Sequence, residues 1–409
     1  MSLSEKVDMR AASLLRAVGL PYFVVAFAAR LPYAMMVVGV LTVVSSGRAS
    51  ISEGGLSSAA VGIGTACFGA LLGAAADRFG QRPVLLGVAI ANAALMVAFA
   101  AIVYSDAPFG LVLLTAFGIG ATAPQVAPMS RARLVGIIAE RIAPERRART
   151  VSSTMAYESA ADETVFVFGP FVVGILASLI APWAPLVGAA VLALGFVCAF
   201  ALHPTGRRSA AREESGRPAS PVRELFRARI LVIVVGMLGV GIFFGTTLTS
   251  LTSFMTDRGD GESAGVMYGV MGIGSAVLAL AVSILPARFT PRWRWLVFAG
   301  IMVAGSVLVA TAGSVPAMAV ALGLVGIGVG PTLVTQYSFG AAHSPAGRET
   351  TVMTMLGSSL IVGQSLGSAT AGEIAEGLGT SAALMLPLVA AAVALGAGVG
   401  NAALNRPSR

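Results

Sequence analysis

The sequence predicts an all-α polytopic membrane protein with twelve transmembrane helices in two pseudo-symmetric six-helix bundles. Three observations predict it. Of 409 residues, 56% are hydrophobic and 11% charged, whereas a soluble chain carries about 25% charged residues. The apolar residues fall into twelve runs long enough to cross a bilayer, which takes roughly 20 residues. The second half repeats motifs of the first at an offset of about 200 residues.

Taken in order, the segments span approximately 18–46, 55–75, 83–104, 108–138, 150–180, 183–202, 229–255, 263–286, 294–313, 315–340, 350–377 and 380–404. Gly, Pro, Ser and charged residues punctuate them. Lys6, Arg10 and Arg16 precede the first run as in a signal peptide. The run is too long for one and lacks a cleavage site, so it reads as a retained first helix. Segments four and five are long, as expected of tilted or extended helices. His203 to Arg229 forms a polar linker with an amphipathic end. The halves are therefore 1–202 and 229–409, joined by 203–228.

Charge placement sets the orientation. With the N-terminus inside, the cytoplasmic side receives Arg78, Arg82, Arg141, Arg146, Arg147, Arg149, the seven arginines from Arg207 to Arg229, and Arg288, Arg292, Arg294, Arg348, Arg406 and Arg409; only Arg48 and Arg258 face out. This positive-inside bias places both termini in the cytoplasm. It also accounts for the net charge of +8 without nucleic acid as a partner. Cys67 and Cys198 lie in apolar runs and His203 and His343 are far apart, so neither a structural disulfide nor a metal site is expected.

The repeat is legible at three places. Gly118-Ile119-Gly120 is echoed by Gly326-Ile327-Gly328, and Pro144 to Val151 by Pro345 to Val352. Ser58-Ala59-Ala60-Val61 is echoed by Ser263-Ala264-Gly265-Val266. Six plus six segments with a central linker indicate a transporter whose solute path runs between the halves.

Two stretches carry a family resemblance. Gly73-Ala74-Ala75-Ala76-Asp77-Arg78-Phe79-Gly80-Gln81-Arg82 resembles the G-x-x-x-D-R-x-G-R-R/K loop of the major facilitator superfamily. On physical grounds, Gly73 permits close helix approach, Gly80 a tight turn, and Asp77 can meet a facing helix N-terminus. The resemblance implies the major facilitator fold and a cytoplasmic gating loop, comprising Gly73, Asp77, Arg78, Gly80 and Arg82, that latches the outward-open state. Gln81 departs from the basic residue usual there. The second-half counterpart, Pro286 to Arg292, keeps basic residues and loses the acid. In segment five, Val165 to Gly174 resembles the antiporter signature G-x-x-x-G-P-x-x-G-G. Gly169, Pro170 and Gly174 match; Val165 and Val173 do not. In exporters of the family this bend packs on segment eight. A Gly-Pro pair that only kinks the helix is the alternative.

Charged residues inside apolar segments are costly and usually functional. Segment four carries Arg131 and Arg133, and segment five carries Glu158, Asp162 and Glu163. Glu158 and Asp162 share a helix face one turn apart, and Glu163 points about 100° away. Arg133 and Glu158 fall at similar depth, as do Arg131 and Asp162, so ion pairs between the segments are geometrically possible. The aligned positions in segment eleven are Ser359, Gly363 and Gln364, so packing symmetry does not require the acids. These five residues are the candidate proton-coupling group, Asp162 first among them, with a static salt-bridge cluster as the alternative.

Candidate solute-binding residues are Arg30 and Tyr33 of segment one, Gln125 of segment four and Tyr157 of segment five. The second half offers Thr246, Thr249, Tyr268, Gln336, Tyr337 and Gln364. Each is equally suited to tying helices together, and Arg30 to pairing with an acid or snorkelling. The expected function is proton-coupled export of a small amphipathic or drug-like molecule by alternating access, working as a monomer in a bacterial cytoplasmic membrane. Protons are the coupling ion and no cofactor is called for. Uptake of an organic anion, sugar or other polar metabolite is the second reading. An intramembrane enzyme lacks acids converging from different helices, and a channel lacks a selectivity element.

Overall fold

A computed structural model describes residues 14–48, 50–206, 220–259, 264–286 and 288–404. Among them every predicted segment coincides with helix. Nine stretches are long and apolar enough to cross a membrane: Leu20–Val44, Glu53–Phe79, Gln81–Val103, Phe109–Arg141, Ala184–Leu202, Ala228–Thr256, Pro291–Ala310, Val315–His343 and Thr380–Leu404. Segments five, eight and eleven correspond to the helices Pro144–Leu179, Ala264–Ala281 and Glu349–Leu378. The repeat residues Ser263 and Ala287 and most of the linker lie outside the described residues, as do the side chains of Glu163 and Pro170.

The chain packs as two units. The first holds the described residues up to Val151, Thr164–Ser220 and Ala346–Met355; the second holds Ser152–Glu163, Pro221–Pro345 and the described residues from Leu356. Segments five and eleven thus each contribute to both.

Within each unit, glycine sets how closely helices cross. Lipid is as apolar as leucine, so membrane helices associate through close packing, which small residues permit. In the first unit, a Cβ added at Gly64 of segment two would overlap the Phe117 carbonyl and lie 2.7 Å from the Ala121 nitrogen; one at Gly120 of segment four would lie 2.9 Å from the Thr65 nitrogen. The second unit builds the same reciprocal crossing from segments eight and ten. A Cβ at Gly326 would lie 3.2 Å from the Ser275 nitrogen, and one at Gly274 would lie 3.5 Å from the Gly326 Cα. Segments seven and eleven meet through Gly241, Gly245, Gly363 and Gly367, each facing backbone of the other helix.

The repeat reaches further than the sequence matches. On the arginine-poor side, Arg48 Nη2 donates to the Ala107 carbonyl at 2.6 Å, joining the loop after segment one to the loop after segment three. Arg258 Nη2 donates to the Gly313 carbonyl at 3.1 Å, joining the corresponding loops of the second half. The Arg258 guanidinium also lies 3.5 Å from the centre of the Phe254 ring. The two arginines that break the positive-inside pattern are therefore matched structural clasps.

The halves differ in the continuity of their helices. Segment one is interrupted between Leu20–Ala28 and Leu31–Gly47, and segment four between Phe109–Ala121 and Val126–Arg141. Their repeats, segments seven and ten, are continuous helices of 29 residues each. Pro32 removes one backbone donor and crowds the carbonyl four residues back, and Pro124 and Pro128 do so twice in succession. Segment ten keeps its helix around a single Pro331.

The crossing geometry predicts that Gly64→Val lowers stability by about 1–3 kcal/mol, the usual cost of overpacking. Gly87→Val, where an added Cβ meets nothing within 4 Å, leaves it unchanged. Thermal unfolding of the purified protein in detergent compares the two.

Candidate functional site

The breaks in segments one and four lie at one level of the first unit. Tyr22 and Ser130 share a hydrogen bond of 2.8 Å, which fixes the register of the two segments. Arg30 lies eight residues beyond Tyr22 and Thr122 eight residues before Ser130, about 12 Å from that contact along either helix. Arg30 and Gln125 are each only 4% exposed, while Tyr33 is half-buried. Gln125 Nε2 donates to the Ala123 carbonyl at 3.1 Å.

A break strands backbone carbonyls that water cannot satisfy inside a bilayer. Segment three supplies a partner. Asn92, fully buried, donates through Nδ2 to the Ile119 carbonyl at 2.7 Å and to Thr122 Oγ1 at 3.2 Å. Thr122 in turn donates to the Gly118 carbonyl. Asn92 is not among the predicted site residues; an asparagine alone in an apolar run is its signal in the sequence.

The loop after segment two forms the other polar centre of this unit. Asp77 accepts hydrogen bonds from the backbone N–H groups of Thr350 at 3.1 Å and Thr351 at 2.7 Å, and from the Thr351 hydroxyl. It thus caps the first turn of segment eleven, where free N–H groups and the helix dipole favour a carboxylate. Gly73 faces the Thr354 side chain so closely that an added Cβ would overlap it. Gly80, at φ 84°, closes one helix and opens the next, a conformation glycine adopts readily. Arg78 is exposed, with its guanidinium 5.2 Å from the centre of the Phe79 ring. Arg82 is half-buried.

Gln81 joins this cap to segment four. Its Nε2 donates to Thr350 Oγ1 at 3.2 Å and to the Met129 carbonyl at 3.3 Å, and its Oε1 accepts from Arg133 Nε at 3.1 Å. Arg133 also donates to the Phe200 carbonyl at 3.1 Å and to Thr205 Oγ1 at 3.2 Å, and lies 4.1 Å above the Phe200 ring. The Arg133 hydrogen bonds thus run to Gln81, at the start of the helix of segment three, and to the end of segment six. Arg131, 1% exposed, is among the largest fully buried side chains.

The acids of segment five sit in the second unit. Glu158 is fully buried and Asp162 partly exposed. Ser152, one turn and a half before Glu158, accepts from Arg294 Nη1 at 3.4 Å, and Arg294 Nε donates to the Phe289 carbonyl at 2.7 Å. The same unit holds Tyr157, Tyr268 and Gln364, half-buried, and Thr246, Gln336 and Tyr337, buried. Thr246 bonds carbonyls of its own helix. Gln336 is fully buried, and among the described residues neither amide atom has a hydrogen-bond partner. Thr249 lines a surface cavity with Asp257 and Glu376. Of the antiporter-like stretch, Gly169 belongs to the first unit and meets Ala34 of segment one, 2.7 Å from where its Cβ would be, and a Cβ at Gly174 would meet nothing within 4 Å. The helix runs unbroken through both.

Residues 19–368 match the family model described as Major Facilitator Superfamily. The chain belongs to this superfamily. The facilitator's fold is similar to that of solved transporters across nearly their whole length. A bacterial homologue of the iron transporter ferroportin, in its outward-facing state, matches with TM-score 0.74 at 13% identity, over 96% of this chain and 100% of that one. The human organic anion transporter TETRAN matches with TM-score 0.71 at 20% identity, over 94% and 99%. The Escherichia coli fucose:proton symporter matches with TM-score 0.66 at 15% identity, over 94% and 99%. No curated protein matches the chain. The facilitator is therefore a multi-pass membrane transporter of small molecules and not an enzyme.

His203, which the sequence reading placed in a loop, borders the Arg133 cluster. Its Nδ1 lies 2.9 Å from Thr205 Oγ1, and its ring stands edge-on to Tyr22 at 5.3 Å. Burial, and then the Arg133 charge, hold its pKa below the ordinary 6.5. The unfolded chain therefore takes up this proton first as pH falls, so stability drops from pH 6.5 down through the folded pKa. Arg133→Gln should move the His203 titration back up, part of the way to 6.5, as followed by NMR of the labelled ring with His343→Gln removing the other histidine signal. Asn92→Leu should destabilise the facilitator by about 1–3 kcal/mol, the cost of leaving the Ile119 carbonyl with only its long 3.3 Å contact to Thr122, measured by thermal unfolding.

Proposed function

We propose that the facilitator exchanges protons for a small amphipathic or drug-like solute and exports it by alternating access. It would act as a monomer in a bacterial cytoplasmic membrane, with both termini in the cytoplasm, protons as the coupling ion and no cofactor. The halves 1–202 and 229–409 would be the moving bodies, joined by 203–228. One observation carries this reading. Buried charge within the apolar segments is concentrated in the first half, at Arg30, Arg131 and Glu158, while the segment-eleven positions aligned with the acids are Ser359, Gly363 and Gln364. Among the described residues the second half buries one charged side chain, Arg294, at the very start of segment nine, so packing alone does not call for charge deeper in the segments.

A carboxyl group in a membrane helix is a proton carrier whose affinity depends on its surroundings. Burial raises its pKa and a nearby guanidinium lowers it. A conformational change that alters either one loads or releases the proton. Asp162, less buried than Glu158, is the acid placed to exchange protons with water, and Glu158 and Glu163 support it. Arg30, Tyr33 and Gln125, at the breaks of segments one and four, would meet the solute; interrupted helices at membrane depth are tolerated where they line a cavity. Tyr157, Thr246, Tyr268, Gln336, Tyr337 and Gln364 are the second unit's contribution. Export is supported by Gly169, Pro170 and Gly174. A second reading, proton-coupled uptake of an organic anion, sugar or other polar metabolite, is supported by the buried Arg30.

In proteoliposomes with an internal pH dye and an imposed gradient of candidate drug-like cations or organic anions, protons should move opposite to a transported compound. Asp162→Asn should abolish the proton movement with the fold intact. Protons moving with the solute would replace export by uptake, and unchanged coupling in Asp162→Asn with lost coupling in Glu158→Gln would move the proton to Glu158.

A further inference from the structure

The end of the linker carries an exposed apolar and basic turn. Val222–Phe226 forms one 3₁₀ turn, held at its start by the Ser220 N–H donating to the Ala346 carbonyl at 3.0 Å and by Arg348 Nε donating to the Ser220 carbonyl at 3.0 Å. Leu225 is buried and points into the protein, whereas Val222 is 54% and Phe226 62% exposed. In a 3₁₀ turn residues three apart eclipse one another, so Arg223 stands over Phe226 on the outward face, and Val222 stands over Leu225 with its own outer side exposed beside them. Arg227 pairs with Glu224 at 2.9 Å; Arg223 and Arg229 are exposed and make no ion pair among the described residues.

The position of this turn relative to the bilayer follows from the helix it precedes. Segment seven, Ala228–Thr256, has 29 residues, about 43 Å of helix, which matches a bilayer with its headgroup layers, roughly 40–45 Å. Ala228 then lies at headgroup level, and Phe226 is two residues away. An exposed phenyl ring and valine interleaved with arginines, at that level and on the basic side, suit the boundary between acyl chains and headgroups.

We propose that this turn is an anchor for anionic phospholipid: Phe226 and Val222 enter the boundary, and Arg223 and Arg229 bind lipid phosphate. Arginines near an anionic leaflet each strengthen attachment roughly fivefold, so the pair supplies the preference for charged lipid.

The test uses the full chain with Cys67→Ala and Cys198→Ala and a spin label at Val222→Cys, in nanodiscs of phosphatidylcholine with or without phosphatidylglycerol. With phosphatidylglycerol, the label should collide with oxygen more than with an aqueous nickel chelate. In pure phosphatidylcholine, or in Arg223→Gln with Arg229→Gln, the balance should shift toward the chelate. A water-exposed label in phosphatidylglycerol discs overturns the proposal, and so does a boundary position indifferent to both lipid charge and the arginines. If the cysteine-free protein fails to fold, melting of the wild-type chain in detergent decides. Phosphatidylglycerol should raise its Tm above that in phosphatidylcholine, and not that of the double arginine variant; equal Tm shifts in the two proteins overturn the proposal.

Discussion

A backbone hydrogen bond opened inside a bilayer finds no water to replace it, and the first half of this facilitator opens such bonds twice. Several polar features of that unit stand in relation to this constraint. Asn92 and Thr122 take up groups at the segment-four break. Tyr22 and Ser130 fix the two interrupted segments in register. Gln81, Arg133 and Thr205 then bind the ends of segments three, four and six into one hydrogen-bonded cluster. Such devices are costly to build in an apolar medium, and their concentration in one half marks it as chemically specialised.

The second half keeps the scaffold and omits the specialisation. Its segments seven and ten are continuous, and its crossings rest on glycines facing backbone. The reciprocal pairs Gly64 with Gly120 and Gly274 with Gly326 show what the repeat preserves, which is close approach of helix axes. Where the first half caps segment eleven with Asp77, the second half places Arg294 beside Ser152 of segment five. A duplicated architecture has thus retained its packing and diverged in its charges.

Much of the fold was legible in the sequence because hydropathy and arginine placement act over whole segments. The twelve runs, the repeat and the loop from Gly73 to Arg82 could be read residue by residue. The breaks were harder to read. Pro32, Pro124 and Pro128 were visible, but Pro331 sits in an intact helix, so proline alone does not announce an interruption. Depth along a helix puts Arg133 level with Glu158, but that one-dimensional measure does not show the neutral partners Arg133 has in Gln81 and Thr205. Gln81 appeared only as a departure from a motif, although that substitution is what gives Arg133 a neutral partner. Asn92 acts through Ile119 and Thr122, and the His203 ring stands against Tyr22 of segment one, so neither role shows along the chain.

The two clasps on the arginine-poor side also bear on the order of assembly. Arg48 and Ala107 are separated by 59 positions, and Arg258 and Gly313 by 55. Neither contact can close until two further segments of its own half have been threaded through the membrane, and neither needs anything from the other half. Each half therefore carries its own closing stitch, set by residues within it, so that a nascent first half can lock its loops while the second is still being synthesised.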